Sequence, residues 1–205
     1  MYKIKKIKMT SQILAQGAEA KITLENNTVI KDRIKKSYRI PVLDEKIRKA
    51  RTRSEAKIIE KLKDIIPVPK ILSTDSKEKI VLEYIDGKKL SDNLENLNYK
   101  EICKQISENI SKMHDKDIIH GDLTTSNMIL KENQVFFIDF GLAFHSKRIE
   151  DKAVDLHLLK QALDAKHFTI AEECIKIILD NYKAEKHKEI LERISAIEKR
   201  GRYRH

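Results

Sequence analysis

The sequence contains no tryptophan, two cysteines, three prolines and five glycines among its 205 residues, and it has few glutamines. No uninterrupted apolar stretch approaches the roughly 18 residues that a membrane-spanning helix needs, which excludes an integral helical membrane protein. The N-terminal MYKIKKIKM has no apolar signal-peptide core, so the expected location is the cytoplasm. Cys103 and Cys174 stand far apart without any C-x-x-C spacing. That pattern points to neither a disulfide framework nor a zinc knuckle. The seven histidines form no ligand cluster in sequence, and neither an internal repeat nor a low-complexity segment is present. Abundant Lys, Glu and Ile with few Gln and no Trp suggest a heat-adapted source.

What is present is a chain able to bury a core: 40% of its residues are hydrophobic, a length and composition suited to one domain or two small lobes. The 42 basic residues exceed the 32 acidic ones, giving a net charge of +10. Such a balance favours a polyanionic partner such as nucleic acid, nucleotide or acidic protein, with a plain lysine-rich solvated surface as the alternative. From Ile13 to Ile34, short β-prone runs separated by Gln16-Gly17 and Asn26-Asn27 predict an antiparallel meander. Residues 44–64 place Ile47, Arg51, Ser54, Ile58 and Leu62 along one helical stripe, and Pro67 and Pro69 close that helix. The run KEKIVLEYIDG reads as a strand entering a turn at Asp86-Gly87. Beyond it, Ile102, Ile106, Ile110 and Met113 recur at helical spacing, two short strands flank 124–127 and 133–134, and further helices are predicted over 151–163, 169–182 and 185–199. The fold class expected is α+β: a β-rich N-terminal lobe with one helix over 1–86 and a helical C-terminal lobe over 87–205, an arrangement that leaves a cleft for a ligand.

Two apolar runs, IIHGDLTTSNMIL and FFIDFGLAF, are each interrupted by an aspartate. A carboxylate buried there costs several kcal/mol unless a partner compensates it. In HGDLTTSN, Asn127 follows Asp122 by five residues, the spacing of the protein-kinase catalytic loop, and Asp139-Phe140-Gly141 resembles the kinase D-F-G triplet. Each motif is weak alone; their order and separation make the pair specific. The resemblance implies Asp122 as catalytic base or water-orienting group, and Asn127 and Asp139 as magnesium ligands. Val29-Ile30-Lys31 resembles the end of the strand whose lysine contacts the α- and β-phosphates, and Glu55 stands where its helical ion-pair partner belongs. Taken singly, either could be an ordinary solvated charge. Gln16, Gly17, Ala18, Glu19 and Ala20 occupy the position of the phosphate loop, although with a single glycine they would otherwise read as a hairpin turn. Glu83, Tyr84 and Ile85 precede the expected hinge, where backbone groups would reach adenine; a buried edge strand would look the same.

Two features depart from that pattern. Gly121 replaces the arginine beside the catalytic aspartate, and only LAFHSKRIEDKAV separates Gly141 from Asp155, with no A-P-E sequence. A platform for peptide substrates is therefore not expected, while ATP hydrolysis remains open to such a site. With QGAEA, VIKDRIKKSYR, PVLDEKIRKARTRSEAKII, IHGDLTTSNMIL, IDFGLA, DLHLLKQAL and RGRYR, the chain resembles from end to end the small atypical kinase family of the KEOPS complex (the PRPK family), related more distantly to the Rio kinases. The resemblance implies ATP and Mg2+ as cofactors, an ATPase with serine/threonine kinase activity, and a role in threonylcarbamoyladenosine formation next to the tRNA anticodon. It implies as partners a threonylcarbamoyl-transferring synthase subunit and a small N-lobe-binding subunit. A Rio-like protein kinase and a noncatalytic nucleotide-binding scaffold are the alternatives. Lys46, Arg48, Lys49, Arg51, Arg53 and Lys57 on the first helix, and Arg200, Arg202 and Arg204 in the tail, fit contact with tRNA phosphates. The same tail could be a frayed solubilising terminus or could reach back toward the catalytic residues.

Overall fold

The structure is a computed structural model that describes residues 11–17 and 19–202; among the expected tail residues, Arg204 lies outside these, and Arg200 and Arg202 are described by backbone alone. The chain divides into two compact units, one ending at Ala56 and resumed by Lys70–Tyr84, the other formed by Lys57–Pro69 and the residues from Ile85 onward.

In the first unit, β1 (Ser11–Gln16), β2 (Ala20–Glu25), β3 (Thr28–Arg33), β4 (Ile71–Thr74) and β5 (Lys79–Glu83) form one antiparallel sheet in the order β1-β2-β3-β5-β4. The β2–β3 turn is Asn26-Asn27, with φ of 48° and 61°. Asparagine tolerates that left-handed backbone, and the two-residue turn matches the twist of the flanking strands. β4 was not legible in the sequence, since ILST is short and mostly exposed. Helix α1 (Pro41–Leu62), which belongs to this unit up to Ala56 and to the second from Lys57, opens on a proline, whose fixed φ suits the first helical position. Its inward residues are Asp44, Thr52, Glu55, Ile58, Ile59 and Leu62, whereas Ser54 is exposed. The buried stripe is thus turned by about 60° from the one hydrophobic spacing predicts. The reason is that its N-terminal half is polar and ion-paired, a face that apolar periodicity does not register.

In the second unit, β6 (Lys88–Lys89), β8 (Met128–Lys131) and β9 (Gln134–Phe137) form a small sheet, and β7 (Ile118–Ile119) pairs with β10 (Phe144–His145). The β8–β9 turn falls on Glu132-Asn133, one residue before the pair that sequence suggested; both have positive φ. Helices α2 (Leu90–Asn93), α3 (Tyr99–Asp115), α4 (Ile149–Lys166), α5 (Ala171–Asn181) and α6 (His187–Arg202) complete the unit. Ile102, Ile106, Ile110 and Met113 line the inner face of α3, and Phe137, Phe140 and Tyr182 fill the core around them. Cys103 and Cys174 are both buried and free.

Gly87 marks where the chain enters β6. A Cβ there would lie 2.5 Å from the Leu130 carbonyl oxygen and 2.7 Å from Ile129 Cγ2. Gly87→Ala is therefore expected to destabilise the protein by about 1–3 kcal/mol through overpacking. Urea denaturation checks this, and an unchanged midpoint would mean that β6 moves aside at no cost.

Candidate active site

The first unit contributes a buried charge cluster. Strand residues two apart share a face, so Lys31 and Arg33 of β3 point the same way. Both meet Glu55: Lys31 Nζ lies 2.7 Å from Oε1 and Arg33 Nη2 lies 2.5 Å from Oε2. Arg33 also donates from Nε to Thr52 Oγ1 at 3.2 Å. Residue exposures are 6% for Lys31, 4% for Arg33 and 1% for Glu55. Charges this dry hold their place only because they are matched, and Glu55 is the carboxylate that both cations share. Arg33 went unnoticed in the sequence, although its spacing from Lys31 puts it on the same strand face.

The turn leaving β1 is short. Gly17 N donates to the Ala20 carbonyl at 3.1 Å, and Ile34 N donates to the Glu19 carbonyl at 3.1 Å, tying the loop to the end of β3. The Glu19 carboxylate pairs with Arg51 of α1 and, at 3.9 Å, with Arg39. Burial alone would raise its pKa, but the Arg51 hydrogen bond and the neighbouring cations carry it below the ordinary carboxylate value. Gln16 and Gly17 are exposed and Ala20 is buried; Ala18 lies outside the described residues. Glu83 closes β5, its N–H bonded to the Lys70 carbonyl at 2.9 Å, and Tyr84 follows half-buried. Ile85, which groups with the second unit, is buried.

The second unit brings together Asp122, Asn127 and Asp139. The two-residue turn of the β8–β9 hairpin fixes its register, Met128 opposite Phe137, so the residues flanking its open end are neighbours. Ile138 N donates to the Asn127 carbonyl at 2.9 Å, which sets Asn127 beside the segment carrying Asp139. Asn127 Nδ2 donates to both the Asp122 carbonyl and Asp122 Oδ2, each at 2.9 Å. Asp139 has φ of 60°, a sparsely occupied conformation for a non-glycine residue, and its Oδ1 accepts from Gly141 N at 3.2 Å. Asp122 is exposed and Asp139 half-buried, which corrects the expectation that both carboxylates are buried and need compensation for that reason.

The buried carboxylate is Asp155 of α4, a residue not singled out in the sequence. It is 1% exposed and accepts from His120 N at 2.8 Å and Gly121 N at 2.9 Å, with His114 Nε2 at 3.3 Å. Its position inside DLHLL gave no sign of this, because the donors lie some 35 residues earlier. Gly121 has φ of 77°, and a Cβ on it would lie 2.6 Å from the Leu142 carbonyl oxygen. That explains why arginine is not found there: the left-handed backbone and the abutting carbonyl admit only glycine. His120 donates from Nε2 to the Ile138 carbonyl at 3.2 Å, and its ring packs against Phe140 at 4.9 Å between centroids, tilted by 43°. Burial holds its pKa below the ordinary value against the pull of Asp155. Thr125, inside the loop, is held by His167 Nε2 at 2.9 Å, while the other ring nitrogen of His167 bonds Glu95 at 2.5 Å.

Asn127 and Asp139 offer an amide oxygen and a carboxylate on segments joined by the Ile138 N–H to Asn127 carbonyl bond. An oxygen-only set with few protein ligands suits a hard cation such as magnesium, which keeps water and phosphate oxygens as its remaining ligands. Among the described residues there is no cluster of three or more His, Cys, Asp or Glu able to hold a metal alone.

Comparison with known proteins places these features in context. The RIO domain family matches residues 21–156. The KEOPS complex subunit Bud32 of Pyrococcus abyssi is 44% identical over 94% of this chain and 96% of its own. A protein of Methanobrevibacter smithii named "probable bifunctional tRNA threonylcarbamoyladenosine biosynthesis protein" is 43% identical over 97% of this chain, which spans only 38% of its length. Among solved structures, the Chaetomium thermophilum Rio2 kinase, crystallised as an ADP/Mg2+-phosphoaspartate complex, superposes with a TM-score of 0.63 over 96% of this chain and 72% of its own. At 13% identity that likeness establishes a kinase-like α+β fold. Among the described residues no helix is long and apolar enough to cross a membrane.

Two outcomes follow from this geometry. Asp155→Asn is expected to destabilise the protein by about 2–4 kcal/mol, since it removes a buried anion that serves several donors; thermal unfolding measures it. For His120 the folded pKa lies below the unfolded value of 6.5, so its stabilising contribution is complete above that pH and is lost as the pH falls toward the folded pKa. Wild type should therefore lose stability more steeply than His120→Gln between pH 7.5 and 5.0 in urea titrations; parallel slopes would overturn the assignment.

Proposed function

The chain belongs to the RIO-domain family, in the branch of the small KEOPS kinase, and on that premise we propose that it is a magnesium-dependent ATPase with serine/threonine kinase capacity, working in a tRNA threonylcarbamoyladenosine-forming assembly. The observation that carries the reading is the joining of Asn127 and Asp139 at the open end of the β8–β9 hairpin, with Asp122 bonded to Asn127. Lys31, oriented by Glu55, binds the α- and β-phosphates of ATP. Gln16–Ala20 covers the phosphates, and the backbone of Glu83–Ile85 receives the adenine. Asn127 and Asp139 hold magnesium, which when bound neutralises charge on the phosphates. Asp122, steered by the Asn127 amide, orients a water or hydroxyl nucleophile and accepts its proton.

The segment after the D-F-G triplet supports hydrolysis over phosphorylation of many proteins. Only seven residues, 142–148, run from Gly141 to α4, and they are tied down by β10 pairing with β7 and by Ser146 N donating to the Asp117 carbonyl at 2.9 Å. Little free chain is left to cradle a peptide. A threonylcarbamoyl-transferring synthase subunit and a small subunit bound to the N-terminal lobe are the partners this reading assigns, in the cytoplasm. The relatives in which a similar chain is one part of a longer bifunctional protein support a stable association with the transferase.

The test is ATP hydrolysis with and without magnesium, by the protein alone and with the synthase subunit and tRNA. Asp139→Ala should lower turnover by at least about 100-fold, a few kcal/mol of transition-state stabilisation, while unfolding remains cooperative. Undiminished turnover in a folded Asp139→Ala protein would overturn the site, and nucleotide binding without turnover in every mixture would favour a scaffold.

A further inference from the structure

A second line of buried polar groups reaches the loop that carries Asp122, this time from the end of α4. Thr125 opens the 3-10 turn Thr125–Asn127 and is its buried member, at 1% exposure. Its hydroxyl lies 2.9 Å from His167 Nε2, and His167 Nδ1 lies 2.5 Å from Glu95 Oε1 in the turn Leu94–Asn96. The imidazole is fully enclosed, and its backbone is fixed where α4 ends: its N–H donates to the Leu163 carbonyl at 2.8 Å and its carbonyl accepts from Ile170 N at 2.9 Å. Burial alone would raise the Glu95 pKa, but the His167 hydrogen bond and the charge of Lys166 carry it below the ordinary carboxylate value. An ionised carboxylate only accepts, so Nδ1 carries the proton that faces it. Nε2 then meets a hydroxyl, which can donate to a neutral ring or accept from a charged one. The tie to Thr125 holds in either state.

We propose that Glu95, His167 and Thr125 form a positioning brace that sets Asn127 for magnesium, an inference that rests on the metal assignment made above. The turn has few bonds of its own. Thr124 gives it no side-chain cap, and within it Asn127 N donates to the Thr124 carbonyl at 3.0 Å. Leu123, just before it, is buried, but apolar burial is non-directional and does not fix where the next residues point. The Thr125 hydrogen bond supplies that direction two residues before Asn127, and a metal ligand has to be held within roughly 0.5 Å of its productive position. Helix α4 thus grips the loop twice: Asp155 takes the N–H groups of His120 and Gly121, and His167, just past the helix end, takes Thr125. The first grip orients Asp122 and the second Asn127. His167 and Glu95 are positioning residues that act through Thr125. A network serving stability alone would leave metal affinity unchanged, and this separates the two roles.

The test follows Mn2+ binding to the full-length protein in saturating ADP, read from loss of the free-ion electron paramagnetic resonance signal, with ATP hydrolysis measured across a Mg2+ series. Thr125→Val, which keeps the shape and removes the hydroxyl, should weaken Mn2+ binding about tenfold, while Thr125→Ser should stay within about twofold of wild type. Excess Mg2+ should restore turnover to Thr125→Val and not to Asp139→Ala. Glu95→Ala, at a side chain 34% exposed, should weaken binding about threefold or more, and it replaces Thr125→Val if that protein does not fold. Ser107→Ala is the stability control. It removes another buried hydroxyl of this unit, one that donates to the Ile178 carbonyl at 2.6 Å, and should lower the unfolding midpoint with Mn2+ affinity as in wild type. The brace is overturned if Thr125→Val, or Glu95→Ala in its place, binds Mn2+ normally, or if excess Mg2+ does not restore turnover. It falls equally if Thr125→Ser or Ser107→Ala loses as much affinity as Thr125→Val. Were wild type to bind no Mn2+, or Asp139→Ala to bind it as wild type does, the metal assignment itself would fail and take the brace with it. Loss at Asp139→Ala beside normal binding by Thr125→Val removes the brace alone.

Discussion

Much of the second unit hangs on the carboxylate of Asp155. A buried anion is tolerable when enough donors surround it, and here two are the backbone N–H groups of His120 and Gly121, the residues immediately before Asp122. A third is His114, whose other ring nitrogen meets Tyr182 at 2.8 Å; burial drives the tyrosine pKa upward, so its hydroxyl keeps the proton it shares with that ring. The chain of bonds runs from α5's end through α3 to α4 and finishes on the loop that carries Asp122. The effect is one of position: the loop is held by its backbone, and the Asp122 side chain stays exposed.

The first unit solves a similar problem with the opposite bias. There one carboxylate, Glu55, is shared by Lys31 and Arg33, all three being nearly dry. Satisfying that triad requires α1 to turn a polar face inward over its first half and an apolar face, Ile58, Ile59 and Leu62, over its last turns. One helix therefore carries two kinds of inner surface in sequence. Charges displaced by this arrangement do not vanish; Arg48 and Arg51 find Asp44, Glu78 and Glu19, and the tie between Glu19 and Arg51 links the β1–β2 turn to the same helix.

This division explains what could be read from the residues beforehand. Asn26-Asn27 announced its hairpin because left-handed backbone has few suitable residues, and the Ile102–Met113 spacing announced α3 because an apolar face leaves a period. Helices near 151–163, 169–182 and 185–199 were legible for the same reason, with ends that differ by a few residues where capping is weak. The inner stripe of α1 was misplaced because its residues are charged. Asp155 and Arg33 were missed because their roles exist only through partners remote in sequence, 34 and 22 residues away, and nothing local marks them. The motif residues were visible as motifs, while their exposure was not: apolar neighbours suggested buried aspartates, yet the turn after β7 and the left-handed backbone at Asp139 carry both toward the surface.

The two departures from the usual kinase pattern turn out to be one structural decision. With seven residues between Gly141 and α4, the Leu142 carbonyl is drawn against position 121, where a side chain of any size would collide. An arginine there would also serve no purpose, since the long phosphorylatable segment it normally braces is missing. Shortening the segment therefore requires glycine, and glycine supplies the left-handed φ that lets its N–H reach Asp155. The brace shifts from a side chain on a flexible loop to a backbone N–H on a buried helix carboxylate. Such a loop is ordered by the fold itself rather than by a covalent modification, so control over the reaction has to enter from outside the segment, through whatever binds the protein.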